Sequence, residues 1–211
     1  MKNIKKILIG TNNKGKYREI ASLLPKKIRK YSPNNFGIKS PKENGKSFKE
    51  NSYLKAKFFS KKSKLICISD DSGLSINNLN GQPGIHSARW GGTGKNFNNA
   101  IKKVFREMKK RNKYWKKTKA KFFCSLTIYY PNGKFITKLG KVDGHIINHK
   151  RGKNGFGYDP IFVPKNYKKT FAEMNFHKKK SIDHRYDAFF KLKKYFYWSN
   201  LLNLFFEISY I

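Results

Sequence analysis

The sequence predicts an α/β fold with a mixed β-sheet and flanking helices. Three observations carry this. Short apolar runs that read as buried strands alternate with segments of helical period. A β-rich stretch, Phe122 to Tyr130, ends in the turn Pro131-Asn132-Gly133, and Phe135 to Leu139 returns as a hairpin arm. No internal repeat or low-complexity linker divides the 211 residues, a length that suits one domain, or one domain in two lobes.

Each element has its own reason. Ile7-Leu8-Ile9 is an apolar run stopped by Gly10, which suits a buried strand. After the polar loop Thr11 to Gly15, Ile20, Leu23 and Leu24 recur at helical spacing until Pro25. Ser47-Phe48-Lys49-Glu50 reads as a capping box opening a helix to about Ser60, with Asn51 and Lys55 four apart on one face. Leu65-Ile66-Cys67-Ile68 is a strand leading into Ser69-Asp70-Asp71-Ser72-Gly73. Ile101, Val104, Phe105 and Met108 place a helix from about Asn96 to Arg111. Val142 to Ile147 reads as a further strand after the hairpin, and Ile161-Phe162-Val163 as a short one. A last helix starts near Asp183 and turns Phe189, Phe190 and Leu192 inward.

Composition bounds the function. Hydrophobic residues at 38% and aromatics at 16% support a core and argue against a disordered chain. The net charge of +36 suits a polyanionic partner such as nucleic acid, an anionic membrane or a phosphorylated substrate. The lysines are scattered, and Lys, Asn, Phe and Ile are all abundant, which favours compositional background over an address for nucleic acid. Cys67 and Cys124 sit in apolar runs outside any CxxC, so buried free thiols in a reducing cytoplasm are expected and a zinc site is not. The apolar stretch after Met1 is too short for a signal peptide, and no run approaches the roughly 18 apolar residues of a membrane span. The segment Leu201 to Ile211 is apolar, interrupted by Asn203 and Glu207, and has three readings: packing on the body, covering a dimer face or touching a membrane surface.

Four segments can carry chemistry. Asp70-Asp71 places adjacent carboxylates at the end of a buried strand, where ligands of α/β sheets bind. Neighbours on a strand point to opposite sides, so one carboxylate can face Mg²⁺ while the other supports it. Thr11-Asn12-Asn13-Lys14-Gly15-Lys16 lies between a strand and a helix, where free N–H groups attract phosphate, though GxxxxGK[ST] is absent. In Gly152 to Pro160, Phe156 stands between Gly155 and Gly157 with faces open to a purine, and Asp159 can accept from a base N–H. His184-Arg185, after Lys178, Lys179 and Lys180, can donate to a 6-oxo group where adenine carries an amino group. Each also has a plain reading: an acidic turn, a capped polar loop, a glycine turn with a core Phe, and a basic helix start.

The order of these segments is more specific than any one. Thr11-Asn12-Asn13-x-x-Lys16, Phe48-x-x-Asn51-x-x-x-Lys55-Ala56, Asp70-Asp71-Ser72-Gly73-Leu74, Asn80-Gly81-x-Pro83-Gly84-Ile85-x-Ser87-Ala88-Arg89, Gly155-Phe156-Gly157-Tyr158-Asp159-Pro160, and Ala172-Glu173 with Lys179 and His184-Arg185 resemble the inosine/xanthosine triphosphate pyrophosphatase family from about Lys6 to Phe196. The resemblance implies a long mixed sheet in two lobes around a substrate cleft, usually in a homodimer. It implies hydrolysis of ITP, dITP or XTP to the monophosphate and pyrophosphate. On it, Thr11 to Lys16 hold phosphates, and Lys55 and Ser72 contact the phosphate chain. Asp71 is the general base and a Mg²⁺ ligand, with Glu43 the second ligand. Phe156, Gly157, Tyr158, Asp159, Lys179, His184 and Arg185 form the base pocket. It further implies a cytoplasmic enzyme with no specific nucleic-acid partner and no membrane span.

The chain departs from the family at Asp183 and Tyr186, where Ser and Gly usually flank the His-Arg pair, and at Asn77, often acidic. Asp183 can still cap a helix while adding negative charge near the base pocket. Residues 198–211 have no family counterpart and stand as an apolar extension to a single two-lobed domain. The rivals are a basic nucleic-acid-binding protein, which has no use for Asp70-Asp71 or the ordered glycine motifs, and a related nucleotide hydrolase with another base preference.

Overall fold

The computed structural model describes residues 4–94 and 96–196. The apolar extension at 198–211 lies outside the described residues. Six strands form one sheet in the order β2-β1-β3-β4-β5-β6: β1 Lys6–Ile9, β2 Arg29–Tyr31, β3 Cys67–Ile76, β4 Lys117–Tyr129, β5 Phe135–Ile147 and β6 Phe162–Pro164. β1 runs parallel to β2 and β3, and the β3-β4-β5-β6 ladders are antiparallel, so the sheet is mixed as expected. Helices α1 Lys14–Leu23, α2 Phe48–Ser63, α3 Phe97–Arg111, α4 Phe176–Lys180 and α5 His184–Phe190 flank it. Among the described residues no helix is long and apolar enough to cross a membrane.

Side chains cap the helices, Ser47 and Asp183 as expected, but the Ser47 capping box is only half formed, because Glu50 Oε2 accepts from Lys46 N and not from Ser47 N. Asn13 Oδ1 accepts from Lys16 N at 3.0 Å to start α1, and Ser47 Oγ accepts from Glu50 N at 3.1 Å to start α2. Asn96 caps α3, and Asp183 Oδ1 accepts from Tyr186 N at 2.7 Å to start α5. Each satisfies an amide that the first helical turn leaves unpaired.

Three expectations need correction. Asp70-Asp71 lies mid-strand, because β3 continues through Ser72-Gly73 to Ile76 and pairs residue for residue with β4. The cross-strand ladder overrides the turn chemistry of Asp-Asp-Ser-Gly. What ends there is the neighbour: β1 stops at Ile9, opposite Ile68, which opens that edge of β3 beside the two carboxylates. Phe135–Leu139 and Val142–Ile147 are one strand, with Gly140 inside it and not a break. A Cβ at Gly140 would collide with the backbone at Ala188 N and His184 O, so the glycine lets α5 lie directly on the sheet. Phe190 is exposed while Phe189 and Leu192 are buried, since one residue of helix turns the side chain about 100° off the inward face.

The core divides along the long strands. Ile68, Leu126 and Ile128 pack with Ile7, Ile9, Ile20 and Phe189 at one end. Leu74, Ile76, Ala120 and Phe122 pack with Ala100, Ile101, Val104 and Phe162 at the other. Between these two apolar lobes β3 and β4 carry polar residues, Ser69 to Ser72 and Ser125. A cleft sits on that seam. Both cysteines are free and buried, as expected.

Candidate active site

A cavity of about 800 Å³ opens at the seam, within the range of small-molecule sites. Thr11, Asn12, Asn13 and Lys16 line it, as do Glu43, Lys55, Asp71 and Ser72, and Phe156, Gly157, Tyr158, Asp159, His184 and Arg185. Lys14, Gly15 and Lys179 do not. Lys14 is exposed on the first turn of α1. Gly15 lies against the Phe156 ring, so close that a Cβ would stand 2.5 Å from it. Lys179 is buried behind that ring, its Nζ 4.9 Å from the centroid.

Strand geometry separates the two aspartates. Asp71 faces α2: its Oδ2 accepts from Asn51 Nδ2 at 3.0 Å, and Lys55 Nζ lies 3.9 Å from Oδ1. Lys55 also donates to Glu43 Oε1 at 2.8 Å, so its ammonium stands between two carboxylates. Asp70 faces α1 and α5, with Oδ2 3.1 Å from Lys16 Nζ and 3.2 Å from Arg185 Nη2. Ser72 Oγ donates to Asp70 at 3.0 Å and accepts from Arg185 Nη2 at 2.8 Å.

These surroundings set opposite protonation behaviour. Burial raises the Asp71 carboxyl above its ordinary range, and Lys55 and Lys16 offset it only in part. Burial would raise Asp70 too, but Lys16, Arg185 and Lys55 outweigh it and hold Asp70 far below that range. Asp71 is the carboxylate with appetite for a proton, and Asp70 is a fixed negative charge. Around Lys55, burial is outweighed by Asp70, Asp71 and Glu43, so the ammonium stays charged.

The other end of the cavity is held by a buried ion network. Lys179 Nζ donates to Asp159 Oδ2 at 2.6 Å and to Glu19 Oε1 at 2.7 Å. Arg185 Nη1 donates to Glu19 Oε2 at 2.7 Å. Asp159 Oδ2 also accepts from Phe156 N at 2.8 Å, which fixes the aromatic. Tyr158 donates its hydroxyl to Ser87 O at 2.9 Å. His184 stacks on Phe122, centroids 4.8 Å apart, and burial with Arg185 and Lys179 beside it keeps the ring neutral. Arg185 Nη1 lies 3.2 Å from His184 Nε2; a guanidinium only donates, so Nε2 accepts and the ring proton is on Nδ1. That Nδ1–H, and Arg185 Nε, find no partner among the described residues.

Two contributors escaped the sequence reading. Glu19 pairs with both Lys179 and Arg185; its signal was a carboxylate three residues after Lys16, beside the apolar Ile20. Asn51 was placed on the Lys55 face without a role, and it orients Asp71.

Asp183 carries a testable consequence. Burial, and then the nearby Glu19 charge, raise its carboxyl from 3.8 to about 7. Between those values the unfolded chain has lost the proton that the folded chain keeps, so Asp183 costs stability as pH rises from about 4 to 7. Asn caps helices as well as Asp does. Asp183→Asn is therefore expected to match the wild type at pH 4 and to melt several degrees higher at pH 8. Melting curves at the two pH values check it, and an equal shift at both would sink the linkage.

Fold and site together define a two-lobed α/β protein whose seam carries carboxylates, lysines and an aromatic pocket. The chain belongs to the Ham1 family, which matches residues 7–195. It is 40% identical over 198 residues to a dITP/XTP pyrophosphatase of Bacillus cereus, covering 92% of this chain and 96% of that one. It is 41% identical over 188 residues to that of Caulobacter vibrioides, covering 89% and 96%. Among solved structures, a HAM1 protein from Coxiella burnetii superposes with a TM-score of 0.79 at 32% identity, over 89% of this chain and 95% of that one. The Staphylococcus aureus Ham1 protein gives 0.75 at 33% identity, over 97% and 100%.

Proposed function

We propose that this chain hydrolyses non-standard purine nucleoside triphosphates, ITP, dITP and XTP, to the monophosphate and pyrophosphate with Mg²⁺, cleansing the nucleotide pool. The observation that carries this is one cavity with two chemistries: a carboxylate and lysine cluster at Asp71, Glu43, Lys55 and Lys16, and an aromatic pocket at Phe156, His184 and Arg185. The names of the bacterial relatives support the same substrate class.

The donor set fits Mg²⁺. Glu43 and Asp71 offer hard oxygens on either side of Lys55, and no group of three or more metal-binding side chains exists among the described residues. Mg²⁺ is commonly held by one or two carboxylates plus substrate phosphates. When bound, it neutralises the triphosphate and polarises the phosphorus under attack. The first-turn amides of α1, at Lys14 and Gly15, precede the first intrahelical bond and face phosphate with Thr11, Asn13 and Lys16. Lys55 and Ser72 meet the phosphate chain. Asp71 orients a water and takes its proton as the water attacks the α-phosphorus in line. Phe156 stacks on the purine, whose 6-oxo group accepts from His184 Nδ1–H and Arg185. A 6-amino group presents hydrogens to those donors and leaves them unpaired. A homodimer is part of the same reading, and sedimentation of the purified chain tests it.

The test is turnover of dITP, XTP, dATP and dGTP with Mg²⁺ or with EDTA, products identified by chromatography. Release of pyrophosphate, at least about 10²-fold faster from dITP and XTP than from dATP, is expected. No nucleotide cleaved, or salt-sensitive RNA binding without turnover, would return the reading to the nucleic-acid rival.

A further inference from the structure

Glu43 stands in the irregular segment between β2 and α2, so neither helix nor strand fixes it. Besides the Lys55 bond to the Glu43 carboxylate and the Lys46 N bond to Glu50, three contacts hold that segment. Asn12 Nδ2 donates to Ser40 Oγ at 3.0 Å, and Gly45 N donates to Asn51 Oδ1 at 2.8 Å. The third comes from across the cleft: Arg89 Nη2 donates to the backbone carbonyl of Glu43. Arg89 Nη1 is meanwhile 3.0 Å from His86 Nδ1, which must accept, since the guanidinium only donates.

The platform beneath Arg89 is rigid. Ser87 Oγ accepts from Leu74 N at 2.9 Å and donates to Gly84 O at 2.7 Å, while Ser87 O accepts from Tyr158 at 2.9 Å. This ties the Arg89 wall to β3 and to the glycine-rich segment. The Arg89 contact reaches main chain, so it fixes where Glu43 stands without occupying its carboxylate. Lys55 is the group that meets the carboxylate. Arg89 therefore acts on geometry, and its fork, braced on His86, sets direction as a lysine ammonium does not.

We propose that Arg89 is a positioning residue that straps the Glu43 segment to the opposite wall, so that Glu43 and Asp71 converge on one divalent cation. This rests on the Mg²⁺ reading above. Its loss leaves both carboxylates present but not pre-organised, and the cost falls on metal affinity more than on the chemical step.

The test is a Mn²⁺ titration of the full chain without nucleotide, followed by electron paramagnetic resonance, on wild type, Arg89→Ala, Arg89→Lys, Glu43→Gln, Asp71→Asn and the Glu43→Gln/Arg89→Ala double variant. Arg89→Ala is expected to weaken Mn²⁺ about tenfold or more, Arg89→Lys by less, and the double variant to bind no more weakly than Glu43→Gln alone. Turnover of Arg89→Ala at saturating Mg²⁺ is expected to stay within about twofold of wild type, because the strap sets geometry and not charge. If Glu43→Gln and Asp71→Asn lose Mn²⁺ while Arg89→Ala keeps it, the strap is overturned and the metal reading stands. If neither carboxylate variant loses Mn²⁺, both fall. A drop in kcat and a rise in KM that persist at saturating Mg²⁺ would mean that Arg89 touches the phosphates directly, and would also overturn it.

Discussion

Asp71→Asn is expected to slow dITP hydrolysis by about 10²–10⁴-fold, the range that general-base groups contribute. Asp71 is the carboxyl that burial raises, whereas Asp70 is held ionised by Lys16, Arg185 and Lys55. A base must be deprotonated to act, and a raised carboxyl accepts a proton more readily. Activity is therefore expected to be lost as pH falls through the Asp71 titration, which burial raises in the metal-free protein and a bound Mg²⁺ would draw back down. Asparagine has nearly the same shape and can still accept from Asn51. The variant is expected to melt within a few degrees of the wild type, which separates lost chemistry from lost fold. A pH–rate profile and a melting curve on one preparation check both, and full turnover by the Asn variant would remove Asp71 from its role.

Asp70→Asn tests the division of labour less cleanly, because Asp70 is a hub for Lys16, Arg185 and Ser72. That the two carboxylates face opposite sides was legible in sequence, because adjacent strand residues alternate. The strand's length was not. Asp-Asp-Ser-Gly is poor strand sequence, and only the long antiparallel partner Lys117–Tyr129 carries β3 through it. The second hairpin arm misled in the same way. Phe135 to Leu139 and Val142 to Ile147 read as separate strands, yet Gly140 between them is where α5 presses on one continuous strand, a constraint visible only in three dimensions. The capped loop before α1 and the glycine-rich segment were legible as conformations, because caps and positive-φ glycines such as Gly155 at φ 74° dictate them locally. Glu19 was hidden for the opposite reason. Its partners Lys179 and Arg185 stand some 160 residues away, and no local spacing announces an ion pair of that reach.

Glu19 is also where the largest structural effect is expected. Its side chain is 6% exposed and accepts from Lys179 and Arg185 at 2.7 Å each, tying α1 to α4 and α5. Glu19→Gln keeps the shape but turns an NH₂ toward one of the two cations, placing donor against donor. Breaking a buried pair from one side costs about 3–5 kcal/mol, because the partner charge is left uncompensated. At about 2–4 °C per kcal/mol for a chain of this length, melting is expected to fall by about 10 °C. Replacing all the partners with apolar residues can be neutral, so the loss measures the stranded cations and not the net worth of the network. A second readout follows from position. Lys179 lies beside the Phe156 ring and Arg185 within 5.4 Å of its centroid, so releasing them loosens the base pocket before the phosphate site. KM for dITP is expected to rise and its preference over dATP to shrink. Pairing Glu19→Gln with Arg185→Met measures their coupling, with Arg185→Met alone as the reference for the Asp70 and Ser72 contacts that it also removes. A Glu19→Gln protein that melts within about 2 °C of the wild type, against the roughly 10 °C fall expected above, would show that the network is not what joins the ends of the chain.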